Sequence, residues 1–284
     1  MTEISAEKVR ELREKTGAGM MDCKRALASV GGDMEKAIDH LRKEGVVKAA
    51  KKAGRATSEG LVGVSIGPDK KAAAIVEVNC ETDFVARTDQ FQNFINVLGE
   101  HIVKARPADL NALLAQKLGD GTVQDVVNQL VAKLGENMAV RRFRLLQAGG
   151  GEVLASYIHA GAKIGSVIRV KGAADEALVR DIAMHTAAMS PRFVDRAQVP
   201  AAVLDREKDV LKASPELAGK PENLVDKILQ GKLNRFFSEV CLADQPFIKD
   251  TTGKKSVGDF LKEKAAGAQI VEMVRFQVGE EAAA

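Results

Sequence analysis

Hydrophobic and polar positions along this chain follow three rhythms, and each predicts a different kind of element. Residues 1–45 carry apolar side chains at helical spacing, first Val9 and Leu12, then Met20, Met21, Cys23, Ala26 and Leu27, then Met34, Ala37, Ile38 and Leu41. Ser5 and Asp33 stand where helix N-caps belong, and Thr16-Gly17 and Gly31-Gly32 end the first two segments. Three short helices joined by glycine turns can bury only one small core. Met20 and Met21 are adjacent, so one reading leaves one of them exposed as an adaptable contact; the other has both filling the core from the helix start. Residues 46–60 (VVKAAKKAGRATSEG) lose the rhythm, and their basic and small residues predict a solvated linker.

The second rhythm is that of strands, and it occurs twice. Ser65 and Ile66 lead through Gly67-Pro68-Asp69-Lys70 into a return strand, in which Ala74, Ile75, Val76 and Val78 alternate with Glu77 and Asn79 as in a half-buried strand. Ser156, Tyr157 and Ile158 lead through a glycine turn into Ile164, Val167, Ile168 and Val170 in the same way. Ile66 aligns with Ile158, Lys71 with Lys163, Ile75 with Val167 and Val78 with Val170, without a gap. An amphipathic helix follows each copy, with Phe94, Ile95, Leu98 and Ile102 in the first and Leu178, Ile182 and His185 in the second. The first copy spends a longer connection between strand and helix, and that excess contains residues 82–88. A carboxylate and a large aromatic, Asp83 and Phe84, sit side by side there. Either Asp83 caps a turn while Phe84 closes the core, or the loop presents both to a partner.

Between the copies, residues 109–116 and 123–134 read as helices. Residues 138–146 (MAVRRFRLL) read as a basic strand on an exposed face or edge. The third rhythm, from 199 to 240, is that of two long helices reversing at Gly219-Lys220-Pro221. A helix over 257–264 and a strand over 270–278 complete the pattern, before Gly279-Glu280-Glu281 and three alanines.

Composition narrows the function classes. Forty-two basic against 39 acidic residues leave a net charge of +3, too mild to argue for nucleic acid by charge alone. Aromatics are 4%, without Trp, so base-stacking platforms are scarce and no RNA contact is expected. Cys23, Cys80 and Cys241 are an odd, widely spaced set, which predicts buried reduced thiols. No leader and no long apolar run are seen, so the expectation is a soluble, cytoplasmic protein with no membrane contact. No phosphate-binding GxxxxGK[ST] and no HExxH occur, so neither enzyme chemistry, a cofactor, a metal nor direct nucleotide binding is expected. His101 and His185 fall at matching helix positions that suit packing, and His159 falls at an exposed hairpin tip.

Residues 12–27 (LREKTGAGMMDCKRAL) and 76–87 (VEVNCETDFVAR) are similar to two motifs of the bacterial elongation factor Ts family, nucleotide-exchange factors for elongation factor Tu. The resemblance covers nearly the whole chain. It implies an α+β fold with a ubiquitin-associated-like three-helix module over 1–45, a basic linker over 46–60 and a first core subdomain over 61–140. A second core subdomain over 141–196 and 239–284 follows, with antiparallel strands in both subdomains and a protruding helical hairpin inserted over 197–238. It also implies a partner, elongation factor Tu bound to GDP, contacted by Thr82, Asp83, Phe84, Val85, Met20, Met21, His159, Phe247 and Ile248. Asp83 and Phe84 would displace the partner's Mg²⁺. The C-terminal helix that some family members carry is not expected here.

Overall fold

A computed structural model describes residues 4–214 and 221–280. The chain divides into two compact units. The first comprises residues 1–63, 76–143 and 277–284, and the second residues 64–75 and 144–276.

In the first unit, the opening helices form where local capping dictates. Helix α1 (Ala6–Thr16) starts at Ser5, whose hydroxyl accepts the Lys8 N–H, and stops at Gly17 in the left-handed conformation. Helix α2 (Met20–Ser29) follows, and Asp33 caps α3 (Met34–Ala50). Val9, Leu12, Cys23, Ala26, Leu27 and Ala37 make the expected small core. The difference lies in the length of α3, which runs to Ala50 through residues expected to form a linker. Tertiary contacts hold the overrun. Lys48 pairs with Asp22 at 3.2 Å, and α3 packs along helix α7 (Val123–Leu134), with Arg42 bound to Asp125 at 2.8 Å.

Strand β1 (Glu59–Ile66) and strand β2 (Ala72–Cys80) form the first hairpin, and β5 (Met138–Gln147) completes a sheet of order β1-β2-β5. A one-turn helix α4 (Asp83–Ala86) and the amphipathic α5 (Asp89–Ala105) follow β2. The expected alternation in β2 fails, because the strand is buried along its whole length, Glu77 and Asn79 included. Glu77 is satisfied at that cost. Its carboxylate accepts from Arg142 Nε at 2.7 Å, from Asn79 Nδ2 at 3.1 Å and from the Gly279 N–H at 3.0 Å. Helix α6 (Leu110–Ala115) and a small pair, β3 (Lys117–Leu118) with β4 (Gly121–Thr122), precede α7; the pair has no counterpart in the sequence reading.

The second unit repeats the hairpin and helix. Strands β6 (Glu152–Ile158) and β7 (Ile164–Lys171) pair antiparallel with Ser156 opposite Val167, and β8 (Gln269–Gln277) joins to give the order β6-β7-β8. Helix α8 (Glu176–Met189) covers the hairpin, burying Leu178, Val179, Ile182 and Ala183. Helices α9 (Ala201–Lys212) and α10 (Glu222–Val240) form the expected helical pair, packed through Val203, Leu204, Leu233, Phe236 and Phe237 near its base. The reversal expected at Gly219-Lys220, like the last residues 281–284, lies outside the described residues. Helix α11 (Val257–Lys264), with its Ser256–Asp259 capping box, closes this core.

Candidate functional site

The connection from β2 to α5 turns the chain out of a buried strand within a few residues. Thr82 is the N-cap of α4, its hydroxyl accepting the Val85 N–H at 3.5 Å. A helix of one turn has almost no stability of its own, so its conformation is set by what grips it. Val85 and Ala86 are buried and anchor one side. On the other, the Glu136 carboxylate takes the Thr82 N–H at 3.0 Å and the Thr82 hydroxyl at 2.6 Å. Thr88 then caps α5 by accepting the Phe91 N–H.

This arrangement removes the reading in which Asp83 caps the turn and Phe84 closes the core. Phe84 is 78% exposed, so it closes no core. Asp83 is not the cap; Thr82 is, and Asp83 sits in the first turn, where its charge suits the helix N-terminus. Its carboxylate pairs with Arg87 at 2.8 Å across an exposed surface. Of the other two loop residues expected to touch a partner, Thr82 is half-buried and Val85 buried, and both support the two residues between them. Behind the loop, burial pushes the Cys80 thiol up to about 12, with the neighbouring Glu136 carboxylate adding to the effect. The thiol therefore stays protonated and donates to the Thr82 carbonyl at 3.1 Å.

The other expected contact residues divide in the same way. Met20 and Met21 are both exposed, at 60% and 66%, which settles their placement against the small core. His159 is exposed at the β6–β7 tip, beside Tyr157, whose hydroxyl lies 3.3 Å from Nδ1. Phe247 is a correction. It is 2% exposed and packs between His185 and Phe260 in the second unit's core, because the following turn directs only Ile248 outward. His185 is a buried packing histidine, as its spacing predicted, held by Gln245 at 3.0 Å; burial lowers its pKa. The three cysteines are free and buried.

Sequence reasoning missed Glu136 and its neighbour Asn137, since nothing local marks residues that lie more than fifty positions from the loop they hold. The arginines of β5 stand on an edge strand, in keeping with the sequence reading, and they are also paired within the chain. Arg142 binds Glu77 and Arg144 binds Glu272. A cavity of about 400 Å³ lies where α1–α3 meet α7, lined by Asp22, Arg42, Lys48 and Lys133 among others. Lys48 pairs with Asp22 across it and Arg42 with Asp125, so it is the seam of the helical module. Among the described residues, no cluster of His, Cys, Asp and Glu could hold a metal ion, and no helix is long and apolar enough to cross a membrane.

Two hairpin-and-helix repeats, a leading helical module and a helical pair place the molecule in a mixed α+β class. The comparisons narrow that class to one family. The model of the family described as elongation factor TS matches residues 81–280. Elongation factor Ts of Lactiplantibacillus plantarum is 46% identical over 280 residues, covering 99% of this chain and 94% of the relative. Those of Thioalkalivibrio sulfidiphilus and Trichlorobacter lovleyi are 46% and 43% identical, covering 98% of this chain and 92% and 93% of their own lengths. The chain belongs to the elongation factor Ts family, whose members act in the elongation stage of protein synthesis.

Proposed function

We propose that this chain is a guanine-nucleotide exchange factor of translation elongation, working in the cytoplasm without catalytic chemistry or a nucleotide site of its own. It binds elongation factor Tu carrying GDP, disturbs the Mg²⁺ and phosphate site, and so releases GDP and lets GTP bind. One observation carries the reading: in a chain of this family, Phe84 stands unpacked on a one-turn helix gripped from both sides.

Exchange demands differential binding. A factor that weakens nucleotide must itself be weakened by nucleotide in the same ratio. Burying the Phe84 side chain between elements of the partner would contribute roughly 1.5–3 kcal/mol towards the nucleotide-free state. Asp83 would bring a carboxylate to the Mg²⁺ site. Mg²⁺ tolerates little departure from octahedral geometry, so a small displacement of its ligands loosens it. Freeing Asp83 from Arg87 costs little, since that pair is solvent-exposed. Met20 and Met21 from one unit, and His159 and Ile248 from the other, would hold the partner elsewhere, with Phe247 supporting Ile248 from beneath.

The test is release of a fluorescent GDP analogue from elongation factor Tu, followed by stopped flow with and without this chain. Acceleration, together with dissociation of the complex by excess Mg²⁺ and GDP, supports the reading. A complex equally tight with and without saturating Mg²⁺-GDP rules it out.

A further inference from the structure

Resting on that reading of Phe84, we propose that Glu136, far from the loop in sequence, is the positioning residue that aims Asp83 and Phe84 at the partner. The turn at its position is built for the purpose. Helix α7 ends at Gly135 with φ 83°, a conformation glycine adopts freely. The turn swings Glu136 and Asn137 against residues 81 and 82. Two reciprocal carboxylate clamps result. Glu136 accepts both the N–H and the hydroxyl of Thr82, and Glu81 accepts the Asn137 N–H at 2.6 Å. Bonds of this kind, with one ionised partner, are about twice as strong as neutral ones.

The bond to the Thr82 hydroxyl has a specific consequence. By accepting the hydroxyl's hydrogen bond, Glu136 leaves the oxygen's lone pairs free to accept the Val85 N–H, the bond that starts α4. The one-turn helix thus owes its start to a side chain outside it. Phe84 contributes nothing to holding itself, being exposed, so the direction in which it points is fixed by the backbone around it.

The same turn is tied to the chain that leaves the helical module. Asn137 is buried, and its amide donates to the carbonyl oxygens of Arg55 at 2.8 Å and Ala53 at 3.4 Å. Arg55 in turn pairs with Glu81 at 3.4 Å. The segment after α3 is therefore fastened to the loop that bears Phe84 and is no loose tether. The α7–β5 turn is a junction at which the helical module and the presenting loop are set against each other within the first unit.

The test compares Glu136→Ala, Thr82→Val, Thr82→Ser and Phe84→Ala in accelerated GDP release, each with a melting curve. Loss of the clamp should lower the release rate at saturating factor about tenfold, the equivalent of about 1.4 kcal/mol. The melting temperature and the half-saturating factor concentration should stay near wild type. Thr82→Val should fall in the same direction, and Thr82→Ser, which keeps hydroxyl and N–H, should restore the rate. Placed on an Asp83→Asn/Phe84→Ala background, Glu136→Ala should cause no further loss, because it acts through those two residues. Wild-type release by Glu136→Ala beside a defective Phe84→Ala overturns the positioning role and leaves the exchange reading standing. An equal further loss on the double-mutant background also overturns it, as general damage. A fully active Phe84→Ala overturns the exchange reading, and this inference with it. Should Glu136→Ala fail to fold, Thr82→Val and its Ser rescue decide the matter alone.

Discussion

Phe84 and Phe91 stand seven residues apart and have opposite fates. Phe91 is fully buried under the Thr88 cap, whereas Phe84 faces solvent. Truncating them should separate stability from contact. Phe91→Ala is expected to cost about 3–5 kcal/mol in chemical denaturation, as a buried aromatic does. Phe84→Ala should leave the unfolding midpoint where it is. Equal losses for the two would return Phe84 to the core. At this scale the sequence displayed the right residue types but not their surroundings. Asp83 and Phe84 stood out as an odd pair on a connection, yet the capping role went to Thr82, since only the fold shows which side chain reaches the free N–H groups. Phe247 was misjudged for the complementary reason. A Phe-Ile pair beside a proline reads equally as surface or core, and the rings of Phe260 and His185 that enclose it come from distant helices.

Elements were legible wherever their signals are local. Ser5, Gly17 and Asp33 cap and stop helices through bonds spanning a few residues. The gap-free match between the copies reappears as two hairpins, each followed by a helix. Elements were misread where long-range contacts overrule the local pattern. Glu77 and Asn79 read as the solvent side of β2, but Arg142 and the Gly279 N–H reach Glu77 from 65 and 202 residues away and allow its burial. Helix α3 runs past residue 45 because Lys48 finds Asp22 and because the helix packs along α7, where Arg42 binds Asp125 and Gly45 is buried. Deleting residues 1–45 would therefore cut a helix and uncover α7. The expected outcome is a lower melting temperature by circular dichroism, with affinity for the partner also reduced. An unchanged melting temperature would contradict the docking of α3 on α7.

Over the whole molecule, the residues proposed to contact the partner fall in both units, while the second unit's core carries the only buried histidine among the described residues. His185 is held neutral by burial, with its folded pKa below the unfolded value of about 6.5. Above that pH both states are neutral and the protein keeps its full stability. As pH falls through about 6.5 towards the lower folded pKa, the unfolded chain takes up the proton first and stability declines. Denaturant midpoints between pH 8 and pH 5 should show this decline, and His185→Gln, of similar polarity but unable to titrate, should flatten it. A variant with the wild-type slope would assign the effect to other groups.

On the proposed function, Phe84 works by contact from a preformed loop. This is tested most directly by measuring, on the same Phe84→Ala preparation, both the melting curve and the stopped-flow release of a fluorescent GDP analogue from elongation factor Tu. Adding Asp83→Asn with and without a chelator separates the charge from the wedge, since a defect in loosening Mg²⁺ should shrink once Mg²⁺ is removed. Contact from a preformed loop predicts an unshifted melting temperature for Phe84→Ala with most of the accelerated release lost. Full release activity, or a melting temperature that falls in step with activity, would contradict it.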